Sequence, residues 1–171
     1  MEFDVLHFFQ SIRSDTLDLA VLFISRLGDF GLIWIVATAI FLIVRQWRKA
    51  GLCVSFALIL DFFLVNLVLK PFFARERPCD LYPAEDMLLA CLSDHSFPSG
   101  HTAAAFAFAT ALTLKNKKAG TIAFVLAFLM GLSRLYLFVH FPTDVLAGAL
   151  FGMLFGWLGY RLAHQFFEAK K

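Results

Sequence analysis

Apolar positions in this chain do not alternate at a strand's period. They run in long blocks separated by short charged clusters. Five blocks have the length and composition of membrane-crossing helices: residues 28–46, 50–69, 99–116, 119–138 and 142–162. A crossing helix needs about 20 mostly apolar residues, and its backbone polar groups must be satisfied internally, which favours helices for such blocks. The opening stretch, residues 1–27, is different. Phe3, Leu6, Phe9, Leu17, Val21 and Ile24 are apolar, but Asp15, Asp18 and Arg26 cut the run. An amphipathic segment lying at the interface is expected there, with a sixth, short crossing as the alternative. It lacks the basic start, clean apolar run and cleavage site of a signal peptide. The expected fold is one all-α domain, residues 1–171. It comprises an interfacial N-terminal segment (1–27), a polytopic membrane helix bundle of about five transmembrane helices (28–162) and a polar cytoplasmic tail (163–171).

Composition agrees with this pattern. Of the 171 residues 60% are hydrophobic, 22 are Phe, and only 16% are charged, against about a quarter charged in soluble domains. That excludes a disordered tail, a nucleic-acid-binding arm and an ordinary soluble globule. A net charge of +2 is too small to imply an anionic partner. Position matters more. Arg45, Arg48 and Lys49 share one connection, Lys115, Lys117 and Lys118 another, and Arg161, Lys170 and Lys171 lie near the C-terminus. Basic connections mark the cytoplasmic side, and five crossings place all three groups there. Residues 70–98 and the turn at 139–141 then lie on the opposite face, where Glu76, Asp80, Glu85, Asp86 and Asp94 also collect.

The same placement gathers Lys70, Arg75, Arg77, His101, Arg134, His140 and Asp144 at one membrane surface. Ionisable groups are costly near lipid and mark functional sites. Snorkelling of lysine and arginine to the interface is the simpler alternative, but it explains neither the histidines nor the clustering.

Three segments carry most of these residues. Lys70 precedes Arg77-Pro78 by six intervening residues, Phe97-Pro98-Ser99-Gly100-His101-Thr102 is continuous, and Ser133-Arg134 is followed by His140 and Asp144. In this order and spacing they resemble the signature of the type-2 phosphatidic-acid phosphatase superfamily, over residues 70–144. The resemblance implies a membrane-bound hydrolase of lipid phosphates, close to bacterial undecaprenyl-diphosphatase-type members. It implies His140 as nucleophile, forming phosphohistidine, with Asp144 orienting it. His101 would protonate the leaving oxygen and then activate water. Lys70, Arg77, Ser99, Gly100 and Arg134 would bind the phosphate.

The residue types suit that chemistry. A phosphoryl group in transfer is stabilised mainly by positioning and electrostatics. Arginine offers a planar fork and lysine a point charge. Pro98 ends a loop where a helix begins, and free N–H groups at a helix N-terminus bind phosphate. Gly100 permits close backbone approach. A plain N-cap is the alternative reading of Ser99. A carboxylate on one imidazole nitrogen presents the other as a nucleophile. The cations can do what Mg²⁺ would do, so no metal and no cofactor are expected, and no residue cluster has metal-site spacing.

Other features are weighed likewise. Arg75 and Glu76 fall in variable positions of the first motif; Arg75 is a candidate for substrate or lipid contact. Asp94 and His95 are loop residues that tune access at most. Asp61 lies mid-span and suits a buried hydrogen-bond network, with Asn66 near Lys70. Asp29 either caps a helix or approaches the site. Gly148, Gly152 and Gly156 repeat every four residues, a spacing for close helix packing within the chain or, alternatively, in a homodimer. Cys79 and Cys91 share the outer loop, where a disulfide or free thiols are equally compatible with the sequence.

The expected activity is hydrolysis of a lipid phosphate monoester or diphosphate at the extracytoplasmic face of a bacterial plasma membrane, undecaprenyl diphosphate first among the substrates. Phosphatidic acid, phosphatidylglycerol phosphate and lipid A are the alternatives. The partners are the lipid phosphate and membrane lipids. A non-catalytic phospholipid-binding or transport protein is the rival class, against which intact His101, His140 and Asp144 argue.

Overall fold

The computed structural model describes residues 1–82 and 87–168. Glu85 and Asp86 of the acidic loop, and Lys170 and Lys171 of the basic tail, lie outside the described residues. Among the described residues there is no strand. The described residues form nine α-helices, in order α1 Glu2–Ser11, α2 Asp15–Gly28, α3 Leu32–Ile43, α4 Arg48–Asp61, α5 Lys70–Phe73, α6 Pro78–Leu81, α7 Gly100–Thr113, α8 Lys117–Tyr136 and α9 Pro142–Glu168. A 3₁₀ turn, Asp29–Gly31, separates α2 from α3, and a π-helical stretch, Phe62–Leu69, joins α4 to α5. Local signals explain several boundaries. The Ser14 hydroxyl accepts from Leu17 N and Asn116 Oδ1 accepts from Ala119 N, capping α2 and α8. Pro142 opens α9, where its missing N–H costs nothing.

Among the described residues four helical runs are long and apolar enough to cross a bilayer: Asp15–Ile43, Arg48–Leu81, Lys117–Tyr136 and Pro142–Glu168. Three expectations change. The first run begins at Asp15 rather than Gly28, so the segment expected at the interface divides into α1 and a helix that joins the bundle. Asp18 does not prevent this, because its carboxylate accepts from the Tyr136 hydroxyl at 2.6 Å and from Arg13 at 3.3 Å. The third expected crossing becomes α7, only 14 residues long and enclosed by other helices. Beyond Leu162, α9 continues as helix to Glu168 where a tail was expected.

The core of the bundle is a seam of small residues. Ala103, Ala105, Ala107, Ala109 and Ala111 of α7 are fully buried, and α9 makes its most extensive contacts with α7. A Cβ at Gly148 would come within 2.6 Å of Ser99 O, at Gly152 within 2.3 Å of Ala103 O, and at Gly156 within 2.7 Å of Ala107 O. The glycine repeat is thus spent within the chain, and a homodimer would need another surface. Large apolar side chains such as Leu19, Ile43, Phe72, Ile122 and Leu150 are exposed; in a membrane protein these face lipid.

The two ends of the bundle differ. Lys49 lies over the Phe167 ring and Lys115 over the Tyr160 ring, so the basic connections gather around the C-terminal part of α9. Lys70, Gly100, Arg134 and Pro142 lie at the opposite helix ends. There Cys79 and Cys91 form a disulfide with Cα atoms 5.8 Å apart, while Cys53 is a buried free thiol in α4.

Because Gly152 meets backbone rather than a movable side chain, Gly152→Val should destabilise the protein by about 1–3 kcal/mol, the usual cost of overpacking. A lowered thermal unfolding midpoint in detergent would show it; an unchanged midpoint would contradict the seam.

Candidate active site

The π-helical stretch delivers Lys70 to the head of the bundle. π-turns are uncommon and frequent at functional sites. Ala74 then takes left-handed geometry (φ 44°) and turns the chain towards Arg77. The loop before α7 is pinned by Ser96 N donating to Arg75 O (2.8 Å) and Ser99 N donating to Asp144 O (3.0 Å). Phe97–Pro98 is a cis peptide. These links bring the three motifs together although they are far apart in sequence.

The cations are buried. Arg77 and Arg134 have no exposed surface and Lys70 has 6%. Arg77 is held by Val139 O at 2.8 Å and Asp94 O at 2.9 Å. Its Nη2 lies 2.6 Å from Asp94 Oδ1, and Lys70 Nζ donates to the other oxygen of the same carboxylate. Asp94 therefore bridges two of the three cations. Partial burial disfavours its charge, but Lys70 and Arg77 outweigh this and hold its pKa down to about 2. Arg134 is different. Its Nε donates to Ser133 Oγ at 3.1 Å, but Nη1 and Nη2 have no partner among the described residues. A fully buried guanidinium with both terminal nitrogens unpaired is costly.

His140 is buried in the turn between α8 and α9. Its Nε2 lies 3.2 Å from Arg77 Nη1. Arginine has no acceptor, so this nitrogen carries the lone pair and Nδ1 the proton. Nδ1 faces Asp144 Oδ2 at 3.6 Å and Ser96 Oγ at 3.4 Å. The expected carboxylate is present but stands beyond hydrogen-bond distance, and Ser96 donates to that same oxygen. Asp144 Oδ2 also accepts from Phe141 N at 2.8 Å, and Oδ1 accepts from Arg75 Nη1 at 2.6 Å. Burial, reinforced by repulsion from the Arg77 cation, outweighs Asp144 and lowers the His140 pKa to about 3. The ring is neutral at ordinary pH.

His101 sits in the first turn of α7, its Nε2 3.2 Å from Asp29 Oδ1. A Cβ at Gly100 would lie 3.5 Å from Asn66 Oδ1 and 3.9 Å from Lys70 Nζ, so the α7 N-terminus faces the lysine closely. Ser99 occupies the N-cap position, but its hydroxyl accepts from Thr102 Oγ1 at 3.0 Å and caps no backbone N–H. Its own proton is free for another acceptor. Glu76 joins none of these contacts, and Asp61 is buried with Oδ1 unpartnered among the described residues. The one metal-like grouping among the described residues, Cys79, Asp80 and Cys91, has both sulfurs in the disulfide.

The chain matches the PAP2 superfamily over residues 50–168. The chain belongs to the PAP2 superfamily. Its PAP2 region holds all three motifs and excludes α1–α3. Undecaprenyl-diphosphatase of Sulfolobus acidocaldarius is 31% identical over 86% of this chain and 71% of its own length. Lipid A 4′-phosphatase of Bacteroides thetaiotaomicron is 32% identical over 78% of this chain and 65% of its own length. The crystal structure of Aquifex aeolicus LpxE superposes with a TM-score of 0.80 and 32% identity, over 94% of each chain. The protein is a membrane-embedded lipid phosphatase of the PAP2 type.

Four contributors lie outside the motif positions. In the sequence Asp94 reads as an access residue, Arg75 as a variable position suited to substrate or lipid contact, and Asp29 as a cap or a site residue, and nothing singles out Ser96; in the structure they contact Arg77, Asp144, His101 and His140, respectively. Closeness to the second motif is the one signal that points to Ser96 and Asp94.

The low His140 pKa has a consequence for stability. Because it lies below the ordinary value of 6.5, the unfolded chain binds the proton first as pH falls. The contribution from neutral His140 is complete above about pH 6.5 and is lost progressively towards pH 3. His140→Gln should therefore show a shallower decline of thermal stability over that window than the wild type. Parallel pH–stability curves would contradict a neutral buried His140.

Proposed function

We propose that this PAP2 protein hydrolyses undecaprenyl diphosphate to undecaprenyl phosphate through a phosphohistidine on His140, at the extracytoplasmic face of a bacterial plasma membrane. The observation that carries the phosphate reading is Arg134. Two buried guanidinium nitrogens have no partner among the described residues, beside a cation pair and a histidine with its lone pair turned inward, and an anionic group of phosphate's geometry would satisfy all of them. The tail chemistry rests on the name of the archaeal relative.

In the proposed reaction the terminal phosphate displaces the Asp94 carboxylate from Lys70 and Arg77 and takes the open nitrogens of Arg134. Ser99 and the α7 N-terminus donate to its remaining oxygens. His140 Nε2 attacks the terminal phosphorus as its bond to the bridging oxygen breaks, and His101 gives that oxygen, which leaves on the lipid monophosphate, a proton. Water then attacks the phosphohistidine, His101 takes its proton, and inorganic phosphate leaves. Asp144, with Ser96 and Arg75, keeps Nδ1 protonated and steadies the charge that develops on the ring. Lys70, Arg77 and Arg134 supply the positive charge on which phosphoryl transfer depends.

The Bacteroides relative favours a second reading, removal of a phosphate monoester from lipid A. Comparison of kcat/KM on undecaprenyl diphosphate, lipid A, phosphatidic acid and phosphatidylglycerol phosphate decides between them.

Purified protein should release phosphate from at least one of these lipids in the presence of chelator, and His140→Ala should reduce release to the level of a protein-free control. A wild type inert on all of them would favour the binding or transport class. Asp94→Asn removes the resident competitor, so KM should fall by roughly threefold to tenfold, equivalent to about 1 kcal/mol. An unchanged or raised KM would mean that Asp94 does not occupy the phosphate position.

A further inference from the structure

We propose that Asp29 is the positioning residue for His101, so that the site holds two histidine–carboxylate pairs, Asp29–His101 and Asp144–His140. The inference rests on the reading of His101 as the acid–base group.

The first membrane run breaks where Asp29 is needed. After Gly28 the chain makes the 3₁₀ turn Asp29–Gly31, with Phe30 (φ 54°) and Gly31 (φ 68°) both left-handed. A bulky residue in that region is strained, and such strain gathers at functional positions. Its result is a carboxylate in mid-run that reaches across to α7. The contact to His101 Nε2 spans 72 residues of sequence. It is not a helix cap, because α3 has no side-chain cap.

The imidazole is also held laterally. A Cβ at Gly28 would come within 2.9 Å of His101 Cδ2 and 2.6 Å of Met130 Cε. The end of α2 therefore lies directly against the ring, with Met130 beside it. Arg134 is close enough to interact electrostatically with both His101 and Asp29. Among the described residues, His101 Nδ1 takes no hydrogen bond.

That arrangement fixes which nitrogen does the chemistry. With Nε2–H committed to Asp29, Nδ1 moves the proton. In the first step protonated His101 gives its Nδ1 proton to the leaving oxygen as the P–O bond breaks. In the second, Nδ1 takes a proton from water as the new P–O bond forms and the P–N bond breaks. Asp29 gains and loses no proton; it stabilises the imidazolium and keeps Nδ1 facing the phosphate.

The test varies the leaving group. An alkyl phosphate expels an alkoxide and needs the acid, whereas a nitrophenyl phosphate with the same tail expels a stable phenolate and does not. kcat/KM reports the step up to phosphoenzyme formation. With full-length protein in detergent, Asp29→Asn should lower kcat/KM for the alkyl ester roughly 10- to 100-fold, part of the 10²–10⁴ that general acid catalysis supplies. It should act through kcat with KM unchanged. The nitrophenyl ester should stay within a factor of about two, which also shows that the variant is folded. Asp29→Glu should recover part of the alkyl-ester rate. His101→Ala should show the same leaving-group pattern more strongly. If His101→Ala shows it and Asp29→Asn slows both esters equally or only raises KM, Asp29 is not the positioning residue and the role of His101 survives. If His101→Ala shows no such pattern, both roles fall together.

Discussion

Everything at the head of this bundle depends on keeping Lys70, Arg77 and Arg134 buried and charged beside a membrane. Removing such groups from water costs several kcal/mol each even after relaxation. The protein offsets this unevenly. Asp94 serves Lys70 and Arg77, backbone carbonyls take further N–H groups of Arg77, and two nitrogens of Arg134 have no partner among the described residues. An enzyme fully compensated at rest would have no reason to bind a phosphate. One left wholly uncompensated would not fold. The observed site lies between, with one displaceable carboxylate and one unsatisfied guanidinium.

Such a site requires a rigid frame. The α7–α9 seam brings backbones so close that no side chain fits between them at Gly148, Gly152 or Gly156. Ser99 and Gly100 stand at one end of α7 and Asp144 in the first turn of α9, so the seam fixes the second and third motifs relative to one another. The disulfide between Cys79 and Cys91 ties the chain just after Arg77 to the stretch that leads into Asp94. Around this frame the outer helices present apolar surface to lipid.

Much of this was legible in the sequence. Long apolar blocks gave an all-helical membrane fold, and the motif residues Lys70, Arg77, His101, Arg134, His140 and Asp144 gather at one end as their spacing implied. The misreadings have physical causes. Asp15 and Asp18 made the first helix look interfacial, because a sequence does not show that Tyr136 and Arg13 satisfy Asp18. The block 99–116 looked like a full crossing, yet α7 is short, since a helix enclosed by protein need not match the bilayer. Arg75 and Asp29 were undervalued because their partners, Asp144 and His101, lie 69 and 72 residues away. No local pattern announces a contact of that range.

The π-helical stretch Phe62–Leu69 makes the position of Lys70 a matter of counting. A wider turn rotates everything after it relative to an α-helix of the same length, and Lys70 follows immediately. Were the same residues to close into ordinary α-turns, Lys70 would swing around the helix and off the phosphate position, while hydrophobicity and span length stayed almost untouched. The aim of the lysine is therefore set by the winding of the segment before it, a property that composition alone would never reveal.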